Sequence, residues 1–309
     1  MISVLIPNFN KAKWIPGCLQ SCLEQGSLLY EIIVVDDHST DESWDILQQW
    51  QINHPSVIKI YKNPNKGANN ARNFAFSKAT GQYIQWLDSD DYLLPEKFEN
   101  QIIPLQKSEA DIVYSDWRLD HYENDILKSS ETRMHRQYND FLEELLKDNW
   151  TSPNNYLMCR DIAEKLAGGI GWNPSTQVGQ DREYFTMAGI LGAQFQYLPG
   201  VFAVYNSQKT GTIAGLPFKE RLLQNQKLER RFRNEVRDSV YISKNKKKLF
   251  INVLHTHKIK ACYYNRDISL DESFSLFDIQ WDLIHYKMRF PIFMLFFYKY
   301  LQFILKRNE

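Results

Sequence analysis

The stretch Trp86-Leu87-Asp88-Ser89-Asp90-Asp91 places three carboxylates within four positions, directly after an apolar run that begins at Tyr83. That run predicts a short buried strand, so the carboxylates fall where the strand ends. Carboxylates this close together repel one another and are costly to remove from water. We therefore expect a positive partner here, and a hard divalent cation is the simplest one. The alternative is a solvated acidic turn that caps a helix starting near Pro95.

The composition is that of an ordinary folded protein. The chain has 309 residues, enough for one large domain or two smaller ones, with 43% hydrophobic and 24% charged residues. Its formal net charge is zero, so no global positive field favours nucleic acid as a partner. Met1 leads straight into the strand-like segment 2–6, so we find no signal peptide and expect a cytoplasmic protein.

Strand and helix signals alternate through the first half of the chain, which predicts an open α/β sheet. Polar clusters at 8–10, 36–37 and 88–91 each follow a predicted strand. Ligands of open α/β sheets bind beyond the carboxyl ends of the strands. Three such clusters at one sheet edge favour a single binding site over a solvated acidic turn.

Two local signals concern helix ends. The spacing Ser39-Thr40-Asp41-Glu42 predicts a capping box that opens a helix running to about Gln51. A second helix is expected from about Glu96 to Lys107, and Pro104 should end or kink it early.

The domain organisation is read from changes in composition. We expect one domain over residues 1–215, with 1–118 binding the donor and 119–215 forming the acceptor part. A helical C-terminal region follows at 216–309. Its last stretch, FPIFMLFFYKYLQFILK at 290–306, is apolar and flanked by basic residues. This tail predicts either association with a membrane surface or a buried helix or oligomer contact.

Four motifs occur in order at compatible spacings. They are SVLIPNFN at 3–10, VVDDHSTD at 34–41, NKGA with ARN at 65–73, and LDSDD at 87–91. Together they resemble the successive motifs of family 2 glycosyltransferases, strongly over residues 1–120 and more weakly to about residue 210. The resemblance implies the GT-A fold, a Rossmann-like open mixed sheet flanked by helices, here with a C-terminal helical extension.

The resemblance also implies a nucleotide-sugar site. Asp37 would lie at the nucleobase, although an Asx turn with Ser39 is the alternative. Gly67 would let the backbone approach the ligand, and Arg72 would meet base or phosphate unless it is merely solvated. The full set of expected donor-binding residues is Pro7, Asn10, Asp37, Lys66, Gly67, Arg72, Asp88 and Ser89.

Asp88 and Asp90 correspond to the Asp-x-Asp of the family. The resemblance implies that Asp88 contacts the ribose, directly or through the metal, and that Asp90 binds Mn²⁺ or Mg²⁺. The cation would stabilise the charge that grows on the leaving nucleoside diphosphate. Asp91 is left between a supporting role and a turn cap.

An inverting transfer needs a base for the acceptor hydroxyl. Where the family usually has Glu-Asp, this chain has Gln180-Asp181, so Asp181 is the candidate and Glu183 the backup. The alternative for Asp181 is a carboxylate that only stabilises a helix N-terminus. Many relatives also carry Tyr-Arg-x-His where this chain has Asn206 and Gln208, which leaves open what replaces the histidine at the metal.

The leading hypothesis is an inverting, metal-dependent glycosyltransferase that adds a single sugar from a nucleotide-sugar donor, with UDP-sugar favoured. The acceptor would be a glycan or lipid-linked glycan of cell-surface polysaccharide synthesis. The alternative is a non-catalytic nucleotide-sugar-binding module that partners another transferase. A nicotinamide-dependent oxidoreductase is set aside, because the first strand is not followed by Gly-x-Gly-x-x-Gly.

Overall fold

The computed structural model describes residues 1–208 and 218–264, together with positions 289 and 293. The strands are β1 Ile2–Asn8, β2 Leu29–Asp36, β3 Ile58–Lys62, β4 Tyr83–Trp86, β5 Tyr92–Leu93, β6 Ile112–Glu123, β7 Ile126–Arg133, β8 Leu157–Cys159 and β9 Phe195–Gln208. The helices are α1 Ile15–Leu23, α2 Ser43–Asn53, α3 Ala68–Lys78, α4 Lys97–Gln106, α5 Phe141–Leu146, α6 Arg160–Ala167, α7 Gln180–Ile190, α8 Phe218–Asp238 and α9 Lys244–Tyr264.

The strands form one mixed sheet in the order β3-β2-β1-β4-β8-β6-β9-β5, with β7 paired to β6. The first four strands in this order are parallel. β2 carries the β-branched run Ile32-Ile33-Val34-Val35, which is fully buried, as expected for a strand covered on both faces. The predicted α/β class with an open mixed sheet is confirmed.

Most strand pairings in the second half of the sheet are antiparallel. Fewer of these strands were predicted from the sequence. β8 pairs antiparallel to both β4 and β6, while β6 and β9 run parallel. β9 then pairs antiparallel to the short strand β5, which follows the acidic stretch. The far end of the sheet is thereby joined to the residues that follow β4.

Two local predictions fail, the second of them in one of its two alternatives. The sequence 39–42 does not form a capping box, because α2 begins at Ser43 and the Asp41 carboxylate instead accepts the N–H of Ser43 at 3.0 Å. Pro104 does not end its helix early, because α4 continues to Gln106. Since Pro104 lies within the last turn, its missing N–H costs only one bond near a helix end.

The residues form two compact units, one comprising 1–141 and 150–215 and the other 142–149 and 216–309. In the second unit α8 and α9 contact each other, and apolar side chains such as Phe232 and Phe250 are buried. The described ranges contain no helix long and apolar enough to cross a bilayer. The tail at 290–306 lies outside them, apart from the single position 293, and so does the predicted domain boundary between residues 215 and 216.

Candidate functional site

The carboxyl ends of β1, β2 and β4 meet at one edge of the sheet. Asn8 is in register with Asp36, and its Nδ2 donates to Asp36 Oδ1 at 3.0 Å. The N–H of Leu87, just past β4, donates to the carbonyl of Leu5 in β1 at 3.1 Å. The three polar clusters that the sequence placed after separate strands are therefore neighbours in space.

Asp37 is held by the loop that opens α3. Its two carboxylate oxygens each lie 2.9 Å from the N–H of Gly67, and Oδ1 accepts Nδ2 of Asn63 at 2.7 Å. The Asx-turn alternative does not apply to Asp37, because the N–H of Ser39 donates to Asp36 instead, at 3.2 Å. Asp37 thus ties β2 to the Gly67 turn.

Arg72 is 5% exposed, so the solvated alternative is wrong. Its Nη2 donates to Asp88 Oδ1 at 2.7 Å, and its Nη1 donates to Gln180 Oε1 at 2.9 Å. The guanidinium also lies 4.4 Å from the ring centroid of Trp172, within range of a cation–π interaction. Arg72 therefore connects the acidic stretch to the first residue of α7.

Asp90 forms an ion pair that the sequence interpretation missed. Lys11 Nζ lies 2.5 Å from Asp90 Oδ2, and both side chains are mostly shielded from solvent. Burial raises the pKa of Asp90, and the ammonium of Lys11 opposes that rise. The available signal was the position of Lys11, directly after the polar cluster at 8–10.

Asp91 is fully buried and has a supporting role. It accepts Nδ2 of Asn154 at 2.9 Å and the N–H of Asn206 at 2.9 Å. Burial, together with Asp90 and Asp88, raises the pKa of Asp91 well above its usual range. Asn206 Nδ2 also donates to the Asp90 carbonyl at 2.5 Å. Asn206, at one of the departures from the family motif, thus anchors the acidic stretch to β9.

Asp181 lies in the first turn of α7, which follows Gly179. Within the described residues its Oδ1 is shielded from solvent and has no hydrogen-bond partner. Burial raises the pKa of Asp181 to about 7, with Arg72 opposing the rise and Asp88 adding to it. A carboxylate whose pKa lies near 7 is suited to accept a proton at neutral pH.

The remaining expected residues differ in exposure. Pro7 is half-buried and Ser89 is buried, whereas Asn10 and Lys66 are exposed. The backup base, Glu183, is buried and accepts Nδ2 of Asn173 at 3.2 Å. The side chain of Gln208 lies outside the described part of the chain.

Tyr205 is a site residue that the sequence interpretation did not single out. Burial raises its pKa, and the carboxylates of Asp91, Asp88, Asp90 and Asp181 raise it further, which places its hydroxyl in their field. Its ring contacts Trp117 edge-on, with centroids 5.9 Å apart. β9 therefore contributes an aromatic side chain beside the acidic stretch.

The donor set suits a cation that is shared with a ligand. In residues 1–208 and 218–264 no three His, Cys, Asp or Glu side chains are grouped closely enough to hold a metal by themselves. Asp88 and Asp90 offer two carboxylates at one strand end. Mg²⁺ is often bound by one or two carboxylates with phosphate oxygens completing its shell, so these two residues fit a metal bound together with a nucleotide diphosphate.

Comparison with known proteins decides the family. The family model described as "Glycosyl transferase family 2" matches residues 3–166, just over half of the chain. The chain belongs to glycosyl transferase family 2. This confirms the resemblance that the four motifs indicated.

Curated relatives match between a third and two fifths of this family 2 chain. The chain is 39% identical over 102 residues to the putative teichuronic acid biosynthesis glycosyltransferase TuaG of Bacillus subtilis. It is 38% identical over 120 residues to the Escherichia coli enzyme WfaP, a UDP-Glc:alpha-D-GlcNAc-diphosphoundecaprenol beta-1,3-glucosyltransferase. These matches cover 33% and 39% of this chain and 40% and 47% of the relatives, so the chain spans less than half the length of each.

Solved structures support the fold of this family 2 chain. S. aureus TarS (1–349) in complex with UDP-GlcNAc superposes with a TM-score of 0.67 at 17% identity, covering 85% of this chain and 74% of that one. The mannosyltransferase PcManGT from Pyrobaculum calidifontis, in complex with GDP-Man and Mn²⁺, gives 0.54 at 16% identity, with coverages of 90% and 76%. The GT-A fold predicted from the motifs is confirmed.

Proposed function

We propose that the protein is an inverting, divalent-metal-dependent glycosyltransferase in which Asp181 is the catalytic base. One observation carries this proposal: the pKa of Asp181 is about 7, shifted by burial, Arg72 and Asp88, and its Oδ1 is shielded and has no hydrogen-bond partner among the described residues. Direct displacement at a sugar carbon requires that the attacking hydroxyl lose its proton. Asp181 would accept that proton while the donor diphosphate leaves.

The donor would bind across the edge formed by β1, β2 and β4. Asp37 and Gly67 are coupled by short hydrogen bonds, which support a preformed nucleotide-binding turn. Pro7, Asn10, Lys66, Arg72 and Ser89 complete the proposed donor site. Asp90 and Asp88 would hold Mn²⁺ or Mg²⁺, and a bound cation would stabilise negative charge on the leaving diphosphate as a Lewis acid.

The proposed donor is a UDP-sugar and the proposed acceptor a glycan or lipid-linked glycan. The name of WfaP includes UDP-Glc and a diphosphoundecaprenol-linked acceptor, and TarS has been crystallised with UDP-GlcNAc. The name of TuaG includes the synthesis of teichuronic acid. These names favour single-sugar addition in the synthesis of a cell-surface polysaccharide.

The test is turnover of UDP-, GDP- and dTDP-sugars with Mn²⁺ by the wild-type protein and by Asp181→Asn. We expect release of the nucleoside diphosphate from one donor class, reduced at least about 100-fold by the substitution. Asp161→Asn is the matched control, because Asp161 is also an acidic residue in the first turn of a helix but is exposed. Equal loss in both variants would show a general effect of helix-terminal charge.

The alternative of a non-catalytic binding module makes the opposite prediction. A module would bind a nucleotide sugar tightly, yet it would release no diphosphate with any acceptor. If Asp181→Asn kept full activity, the protein would still be a transferase, but Asp181 would not be its catalytic base.

A further inference from the structure

Lys11 holds a positive charge on the carboxylate that is proposed to bind the metal. Its Nζ lies 2.5 Å from Asp90 Oδ2, with 24% and 19% of the two side chains exposed. The backbone of Lys11 is fixed as well, because its N–H donates to Ser43 Oγ at 3.0 Å. The turn between β1 and α1 therefore holds the ammonium of Lys11 next to Asp90.

A divalent cation and this ammonium cannot share Asp90 without cost. Asp88 is already paired with Arg72, so Asp90 is the carboxylate on which a metal would chiefly depend. A dication and an ammonium about 4 Å apart repel each other strongly enough, even at the dielectric constant of water, to change an affinity by about tenfold or more. A metal at Asp90 would therefore compete with the ammonium of Lys11.

We propose that Lys11 is a built-in competitor of the divalent metal at Asp90, and that its ammonium must leave the carboxylate when the metal enters. This inference rests on the proposed function, in which Asp90 is a metal ligand. A nucleoside diphosphate would bring enough negative charge for both cations. Lys11 therefore weakens metal binding to the free enzyme and makes it depend on the nucleotide.

The experiment measures Mn²⁺ binding to the full chain, without nucleotide, from the paramagnetic resonance signal of free Mn²⁺. We expect Lys11→Met to bind Mn²⁺ about tenfold more tightly than the wild-type protein. Lys11→Arg keeps the positive charge and should stay within about twofold of wild type. Lys13→Met is the matched control, since Lys13 lies two positions after Lys11, is exposed and is paired with Asp125. Its affinity for Mn²⁺ should also stay within about twofold of wild type.

Added UDP provides a second readout. UDP should strengthen Mn²⁺ binding more in the wild-type protein than in Lys11→Met, because only the wild-type protein has an ammonium to displace. Thermal melting of each variant checks that it is folded.

Several results would overturn the inference. The first is that folded Lys11→Met binds Mn²⁺ no more tightly than the wild-type protein, or does not bind it. The second is that Lys11→Arg binds Mn²⁺ as tightly as Lys11→Met. Sugar transfer is measured separately. Tighter Mn²⁺ binding by Lys11→Met in a protein that transfers no sugar would support the role of Lys11 while contradicting the proposed function.

Discussion

At the scale of single residues, Asp181 shows how its surroundings change an ordinary carboxyl group. A helix N-terminus lowers the pKa of a carboxylic acid. Burial and Asp88 outweigh that effect here, even with Arg72 nearby, and bring the pKa of Asp181 to about 7. The sequence supported Asp181 as the candidate base, but its ionisation follows from desolvation, which no local pattern encodes.

The pH dependence of transfer should report this group. A base must be ionised, so the rate should rise about tenfold per pH unit below 7 and level off above it. The measurement is kcat between pH 5 and 9 at saturating donor and acceptor. In Asp181→Asn the residual rate should lose this inflection. A wild-type rate that falls through pH 7 would contradict the assignment.

Arg72 is expected to be the costliest polar side chain to remove near the site. Arg72→Met leaves Asp88 without its partner and Gln180 Oε1 without its donor, so we expect a loss of about 2–4 kcal/mol in the free energy of unfolding. Urea denaturation measures this free energy of unfolding. Arg118→Met, which breaks an ion pair of a more exposed arginine with Asp120, should cost less than about 1 kcal/mol. Equal losses of stability in Arg72→Met and Arg118→Met would contradict this prediction.

At the scale of elements, the turns after the strands carry the site. α3 begins after Gly67, whose φ of 116° and ψ of 142° lie in a region that residues with a side chain rarely adopt. That conformation directs its N–H to Asp37. The capping box predicted at 39–42 does not form, which shows that polar residues with this spacing can make other hydrogen bonds when a neighbouring turn competes for them.

Gly67→Ala should therefore destabilise the protein through strain, because a Cβ at this position meets no close neighbour. We expect a loss of about 1–3 kcal/mol and weaker binding of the nucleotide. Gly168→Ala is the control, since Gly168 has a helical φ of −67° and room for a methyl group. Chemical denaturation and titration with UDP measure the two effects. Equal stability of both variants would exclude strain at Gly67.

At the scale of the whole molecule, the sheet joins residues that are far apart in sequence. Asp91 is held by Asn154 and by Asn206 of β9, although more than 60 residues separate it from either. The strands within 119–207 were not predicted individually from the sequence, because they are short or pair with strands far away along the chain. The roles assigned to 1–118, 119–215 and 216–309 stay predictions.

The apolar tail carries a prediction at this scale. We propose that 290–306 associates with an anionic membrane surface, where its basic flanks would meet lipid headgroups. Deleting residues 288–309 should move the protein from the membrane fraction to the supernatant. Lys306 and Arg307 changed to Gln in the full chain should weaken the association in a salt-dependent manner. Unchanged fractionation after the deletion would contradict the proposal.

The sequence alone determined the α/β class, the family and the edge of the sheet where the site lies. These follow from local hydrophobic pattern and from motifs, which do not depend on knowing the packing. Tertiary structure decided which partner each carboxylate of the stretch 86–91 has. Asp88 pairs with Arg72, Asp90 with Lys11, and Asp91 with two amides, because distance and desolvation between remote residues set these choices.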